Sequence, residues 1–254
     1  MTLAAIGAWQ HRPVKANEHQ AGAVVHSLMS QSQTSQPASQ LTTPGTLAGE
    51  NLFFFVDHFE VNSNGLALES GQKPAGSQIC RVWIVVTGTT PSQINGRLVT
   101  RKAFPKADVW IINPNGITFG IDSGVEIDGS LFVSTADVVE FADGKRLTLS
   151  QPVPPSGEPV ALRLKTGNNT RIQVHGNLSV SAHQSITLTA NRIEHFGTLQ
   201  APAGTVNLIA QSQGSGFRVQ GLGSQAENQG SGFRVQGSGF GVPSRKPGFR
   251  VQGC

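Results

Sequence analysis

Ile127-Asp128-Gly129-Ser130-Leu131 is one copy of a five-residue pattern, Ile/Val-x-Gly-x-Leu. The pattern also occurs as Ile94-Asn95-Gly96-Arg97-Leu98 and Val174-His175-Gly176-Asn177-Leu178, with a partial copy at Phe196-Gly197-Thr198-Leu199. The copies stay in step beyond the motif: Val133-Ser134 corresponds to Val180-Ser181, and Ile186, Leu188 and Ala190 align with Val206, Leu208 and Ala210. The later copies recur at about 20 residues, the length of one coil in a stacked β-repeat. A single coil cannot bury its inward residues, so stacking supplies the core. The glycines are expected to supply corners with positive φ. Leu98, Leu131, Leu178 and Leu199 are expected to point inward, like residues piling on like at the ~4.8 Å strand spacing. An antiparallel sandwich stays open on the residues alone, since one sequence does not show which strands pair, but it offers no reason for the repeat.

Around these units lie short β-type segments: Leu52 to Phe59, Val82 to Val86, Val109 to Ile112, Leu131 to Ser134, Val160 to Leu164, Arg171 to Val174, Leu178 to Val180, Ser185 to Thr189 and Thr205 to Ile209. Gly, Pro, Asn and Asp separate them, and helical periodicity is absent. Composition divides the chain into three: a mobile N-terminal segment over 1–50, an all-β body over 51–210 and a Gly-rich tail over 211–254. Two short apolar stretches in the first part, Thr2 to Trp9 and Ala21 to Met29, do not make a convincing signal peptide. In the tail, Phe-Arg-Val-Gln-Gly recurs at 217–221, 233–237 and 249–253. Such repetition holds too little apolar mass for a packed core. The other reading is an Arg/Phe arm that stacks on single-stranded nucleic acid, for which the basic residues are sparse.

The chain has 254 residues, of which 30 are Gly and 14 Pro, so it is rich in turns. With 13% charged and 37% apolar residues, it is neither a disordered polyelectrolyte nor a coiled coil. No apolar stretch reaches the ~18 residues that span a bilayer, which excludes stable helical insertion. The net charge of +4 is not a property of the body. Arg218, Arg234, Arg245, Lys246 and Arg250 in the tail face Glu227 alone, and the remainder is balanced, so no nucleic-acid partner is expected for the folded part. Cys80 and Cys254 match no metal or redox spacing and are expected to be free thiols.

Residues 51 to 143 carry specific motifs in a fixed order. They are Asn51-Leu52-Phe53-Phe54-Phe55, Phe59-Glu60-Val61, Val86-Thr87-Gly88-Thr89-Thr90-Pro91-Ser92-Gln93-Ile94-Asn95-Gly96, Val109-Trp110-Ile111-Ile112-Asn113-Pro114-Asn115-Gly116-Ile117-Thr118-Phe119-Gly120, and Gly129-Ser130-Leu131-Phe132-Val133-Ser134-Thr135-Ala136-Asp137. Together they resemble the filamentous haemagglutinin N-terminal (two-partner secretion) domain, in the form found in cyanobacterial exoproteins. The resemblance implies a right-handed parallel β-helix and a haemagglutinin- or adhesin-like passenger, non-enzymatic and secreted or held at the cell surface. It also implies export by a partner outer-membrane transporter whose POTRA domains recognise the passenger, and a glycan or protein receptor on a host or cell surface. In the family, the segment matching Asn113, Pro114, Asn115, Gly116 and Ile117 is a secretion signature. On its own chemistry that segment is a tight turn: Asn113 closes an Asx-turn, Pro114 presets φ, and Asn115-Gly116 tolerates left-handed angles. A structural corner and a recognition element therefore both remain open. Only Ala48-Gly49-Glu50 separates the Thr43-Pro44-Gly45-Thr46-Leu47 element from Asn51, a shorter interval than the family has, so a truncated, non-functional copy remains an alternative.

The other alternative is a carbohydrate-active β-helix, polysaccharide-binding or lyase-like, which needs clustered carboxylates and bases on neighbouring coils. Asp122, Glu126 and Asp128 lack the spacing of a calcium loop and read as solvated corner residues. His175 and His195 read as a surface ladder with no third ligand beside them. No catalytic residue, metal site or cofactor is expected.

Overall fold

The computed structural model describes residues 41, 45–69, 77–150, 152–165 and 169–211, together with the backbone of 232–237. All belong to the compact unit that runs from Pro37 to Cys254. Most of the segment expected over 1–50, and most of the tail, lie outside the described residues.

Strand β1 (Thr46–Ala48) turns through Gly49 and Glu50 into β2 (Asn51–Val56) as an antiparallel pair. From β2 the chain makes repeated circuits. The first passes through β2, β3 (Glu60–Val61) and β4 (Leu66–Ala67); the second through β5 (Arg81–Val86), β6 (Ser92–Ile94) and β7 (Arg97–Val99); the third through β8 (Asp108–Ile112), β9 (Ile117–Phe119) and β10 (Gly124–Glu126). The fourth begins with β11 (Leu131–Ser134) and is interrupted by β12 (Val138–Phe141), β13 (Arg146–Thr148) and β14 (Pro159–Arg163). It resumes with β15 (Arg171–Val174) and β16 (Asn177–Ser179). The fifth comprises β17 (Ser185–Ala190), β18 (Arg192–His195) and β19 (Thr198–Gln200). β20 (Thr205–Ala210) opens a sixth, and β21 (Gly232–Gly237) pairs parallel with it.

Three stacks result. The first sheet is ordered β1-β2-β5-β8-β11-β17-β20-β21, and the second β18-β15-β9-β6-β3. The third is β10-β7-β4, continued by the pair β16-β19, with the Asn177 amide donating to the Ser123 carbonyl at 3.2 Å. Every pairing within these stacks except β1 with β2 is parallel, so an antiparallel sandwich does not describe them. The described chain is all-β with mostly parallel sheets, an arrangement compatible with a β-helix.

Register makes the core. Leu52, Val82, Val109, Leu131, Ile186 and Val206 are successive partners in the first sheet, and all are buried. Leu98, Leu131 and Leu178 point inward as expected, fully out of solvent, while Leu199 is half-buried and packs on the edge of the same cluster. The repeat glycines require a correction. Among the described residues the glycines with positive φ are Gly49, Gly65, Gly116 and Gly144, and not the repeat glycines Gly96, Gly129, Gly176 and Gly197. A Cβ on any of those four would instead collide with backbone carbonyls of the preceding circuit, Asn62, Ala107, Gly120 and Gly176 respectively. They let neighbouring corners approach closely.

The interruption of the fourth circuit is the main departure from expectation. Val160 to Leu164 reads in the sequence as a short β-type segment of the parallel 51–210 body. β14 instead joins β12 and β13 in an antiparallel sheet of its own. That sheet lies over the outer face of the first one, where Phe53, Trp83, Trp110 and Phe132 are register partners. Their rings stack at centroid distances of 5.3, 4.5 and 4.0 Å. Such pairs contribute about 0.5–1.5 kcal/mol each beyond their burial. Val139, Phe141 and Leu147 cover the ladder, with Leu162 against its margin, so water is kept from both faces. Cys80 is buried and disulfide-bonded, not the free thiol its spacing suggests. Cys254 lies outside the described residues.

Candidate functional site: an asparagine corner

Asn113 to Ile117 form the corner by which the third circuit leaves β8 and enters β9. The turn follows from its residues: the Asn113 side-chain oxygen accepts from the Asn115 amide at 2.9 Å, and the Gly116 amide donates to the Asn113 carbonyl at 3.2 Å. Gly116 has φ of +116°, where a side chain would be strained, and a Cβ there would lie 3.2 Å from the Arg171 carbonyl of the next circuit. Ile117 turns into the core.

The two asparagines tie circuits together. Asn113 is fully buried, and its side-chain amide donates to the Thr90 carbonyl at 3.0 Å and to Ser92 Oγ at 2.9 Å, both in the preceding circuit. Its backbone amide donates to the Ser134 carbonyl of the following one at 3.0 Å. Asn115 Nδ2 reaches the Gly88 carbonyl at 2.9 Å. A buried amide left without such partners costs about 1–3 kcal/mol, so this corner fixes the stacking of three circuits. Pro114 and Asn115 are half-buried and form its outward surface.

Asn191, which the sequence reading did not single out, plays a related part in the fifth circuit. It is buried, accepts from Thr170 Oγ1 at 2.8 Å, and its amide reaches the Lys165 and Gln211 carbonyls at 3.4 and 3.3 Å. An isolated Asn after a strand, with no Pro or Gly beside it, carries no turn signature.

A second polar group also escaped the sequence. Asn51, Arg81 and Asp108 occupy one rung of the first sheet and are all buried. Arg81, only 1% exposed, pairs with Glu158 at 3.0 Å and with Glu50 at 3.6 Å. Asn51 Nδ2 donates to the Pro155 and Gly157 carbonyls at 3.1 and 2.8 Å, while Trp83 Nε1 donates to Asn51 Oδ1 at 3.2 Å. This rung therefore pins the segment leading into β14. Asp108 accepts from the Ser130 amide at 2.8 Å. Burial pushes its carboxyl up to about 6, against the opposing pull of that amide and of Arg81.

Asp122, Glu126 and Asp128 do not form a metal-binding group. Asp122 is exposed, Asp128 is half-buried, and Glu126 is held by Arg97 and Arg101. Among the described residues no group of three or more His, Cys, Asp or Glu side chains is placed to hold a metal ion. The histidines do not form a ladder with each other. His175 stacks on Phe196, while His195 pairs with inward-facing Val174, and burial holds its imidazole below the usual histidine range. The repeat interval at this corner differs by one residue from their spacing, which turns His195 to the other face.

Parallel strands stacked in repeated circuits and stapled at a corner by asparagine side chains define an all-β repeat protein. The chain belongs to the TPS secretion domain family, whose family model matches residues 16–238. No curated protein and no solved structure matches it. Membership makes it a two-partner-secretion passenger, secreted or at the cell surface, and implies an outer-membrane transporter as its partner. The family is that of a non-enzymatic passenger domain. No helix among the described residues is long and apolar enough to cross a membrane.

Proposed function

We propose that residues 51–210 are the passenger column, a right-handed parallel β-helix, and that its Asn113–Ile117 corner is read by the POTRA domains of the partner transporter during export. Outside the cell the column, flanked by 1–50 and 211–254, serves as a haemagglutinin- or adhesin-like surface domain without catalytic activity. One observation supports the corner as the recognised feature. Its inward polar atoms are engaged in hydrogen bonds, yet Pro114 and Asn115 stay half-exposed and rigidly presented.

The test follows from this division of labour. Asn113→Ala removes buried hydrogen bonds and would lower secretion through misfolding alone. Pro114→Ala removes no hydrogen bond and costs only about 0.4–1 kcal/mol through the unfolded chain. With a working signal peptide and the partner transporter co-expressed, Pro114→Ala is expected to lower the amount of protein in the medium severalfold while the purified variant melts close to wild type. Unchanged secretion would reduce the segment to a structural corner.

A further inference from the structure

We propose that the outer face of β15 and β18 is a binding site for an acidic polysaccharide. The proposal is independent of how the transporter reads the corner. Alternation along the two strands turns Arg171, Gln173 and His175 outward in one row, and Arg192, Glu194 and Phe196 outward in the next. Register pairs Arg171 with Arg192 and Gln173 with Glu194, and the rings of His175 and Phe196 stack at 4.8 Å with planes 13° apart. The result is a grid of three columns: basic, amide and carboxylate, aromatic.

Apart from Arg171, the grid is held together before any ligand arrives. Gln173 Nε2 donates to Glu194 Oε2 at 2.6 Å, and the Arg192 guanidinium pairs with Glu194 Oε1 at 2.7 Å. Ordered polar side chains lose little further freedom on binding. Two features are unfavourable in the free protein. Arg171 stands across the rung from Arg192, a like charge that Glu194 only partly offsets, and has no carboxylate partner of its own among the described residues. Phe196 is 50% exposed. A ligand that brings an anion to Arg171 and an apolar face to the rings relieves both.

A chain of uronate sugars has this chemistry. Its carboxylate matches the guanidinium fork. Its hydroxyls match the amide and carboxylate of the central column, and the C–H face of a pyranose lies against an aromatic ring. From the arginine to the aromatic column a strand covers about 13 Å, long enough for a short oligosaccharide. A protein partner would ask for a larger apolar centre than one pair of rings.

The experiment is isothermal titration of the full chain with polygalacturonate oligosaccharides and heparin oligosaccharides, with neutral dextran as control. The tail carries Arg218, Arg234, Arg245, Lys246 and Arg250, which attract any polyanion, so the variants decide. At least one acidic glycan is expected to bind and dextran not to. Phe196→Ser, and the double variant Arg171→Gln/Arg192→Gln, should each weaken binding about tenfold or more. Phe196→Tyr should preserve it. Absence of binding by both acidic glycans, equal binding of dextran, or affinity unchanged in Phe196→Ser would overturn the proposal, the last by assigning anion capture to the tail.

Discussion

Asp108 carries a charge in a place that penalises it. Desolvation raises its carboxyl from 3.8 to about 6, outweighing the Ser130 amide and Arg81. Between those two values the folded protein holds a proton that the unfolded chain has released. Stability therefore falls as pH rises through that window, and the whole penalty is present above about pH 6. Asp108→Asn keeps an acceptor for the Ser130 amide without the charge. It is expected to raise stability near neutral pH by on the order of 2 kcal/mol and to flatten the slope between pH 4 and 6. Thermal melts of both proteins across that range check this, and a lower melting temperature for the variant near neutral pH would show that the attraction to Arg81 outweighs burial. The contrast with Asn113 explains what sequence reveals at this scale. An Asx-turn is closed by atoms two residues apart, so Asn113-Pro114-Asn115-Gly116 announced its conformation. The cost at Asp108 depends on its burial, on the Ser130 amide and on Arg81, all set by tertiary packing, and no local pattern encodes it.

Among the elements, the inserted sheet of β12, β13 and β14 divides the buried residues into two clusters, one inside the circuits and one between the first sheet and the insertion. The inner cluster was legible because its residues recur at the repeat interval. The outer one was not: Val139, Phe141 and Leu147 occur once, and segment 160–164 has the alternation of any strand without a register to place it. Phe53, Trp83, Trp110 and Phe132 were visible as residues but not as a ladder, since ring stacking appears only when register is known. Phe141 sits 5.5 Å from Trp83 and 6.4 Å from Phe53, with almost no exposure. Phe141→Ala is expected to cost about 3–5 kcal/mol and to shift indole emission to the red as water reaches the ladder. Leu98→Ala in the inner cluster is expected to cost about 2–5 kcal/mol with no shift in emission. Chemical denaturation followed by tryptophan fluorescence separates the two; a matching shift in Leu98→Ala would mean that the clusters do not act as separate layers.

At the scale of all the described residues, the circuits are alike inside and unlike outside. β5, β8 and β11 are buried at every position because the core lies on one side and the inserted sheet on the other. In β20 only alternate residues are buried, and on its outer side Asn207 donates to Thr187 Oγ1 where the earlier circuits carry rings. In a stack where each repeat touches only its neighbours, opening starts where the interface is weakest. Backbone hydrogen bonds of β20 are therefore expected to open by local events, and those of β5 and β8 only with global unfolding. Native-state hydrogen exchange should find amides of Val82 to Val86 and Val109 to Ile112 protected at least about tenfold more than those of Val206 to Ala210. Uniform protection along the first sheet would mean that the inserted sheet adds no stability of its own and that the circuits unfold as one unit. A gradient that vanishes in Phe141→Ala would trace the difference to the cover over the aromatic ladder, because that substitution leaves the inner residues and the corner asparagines untouched.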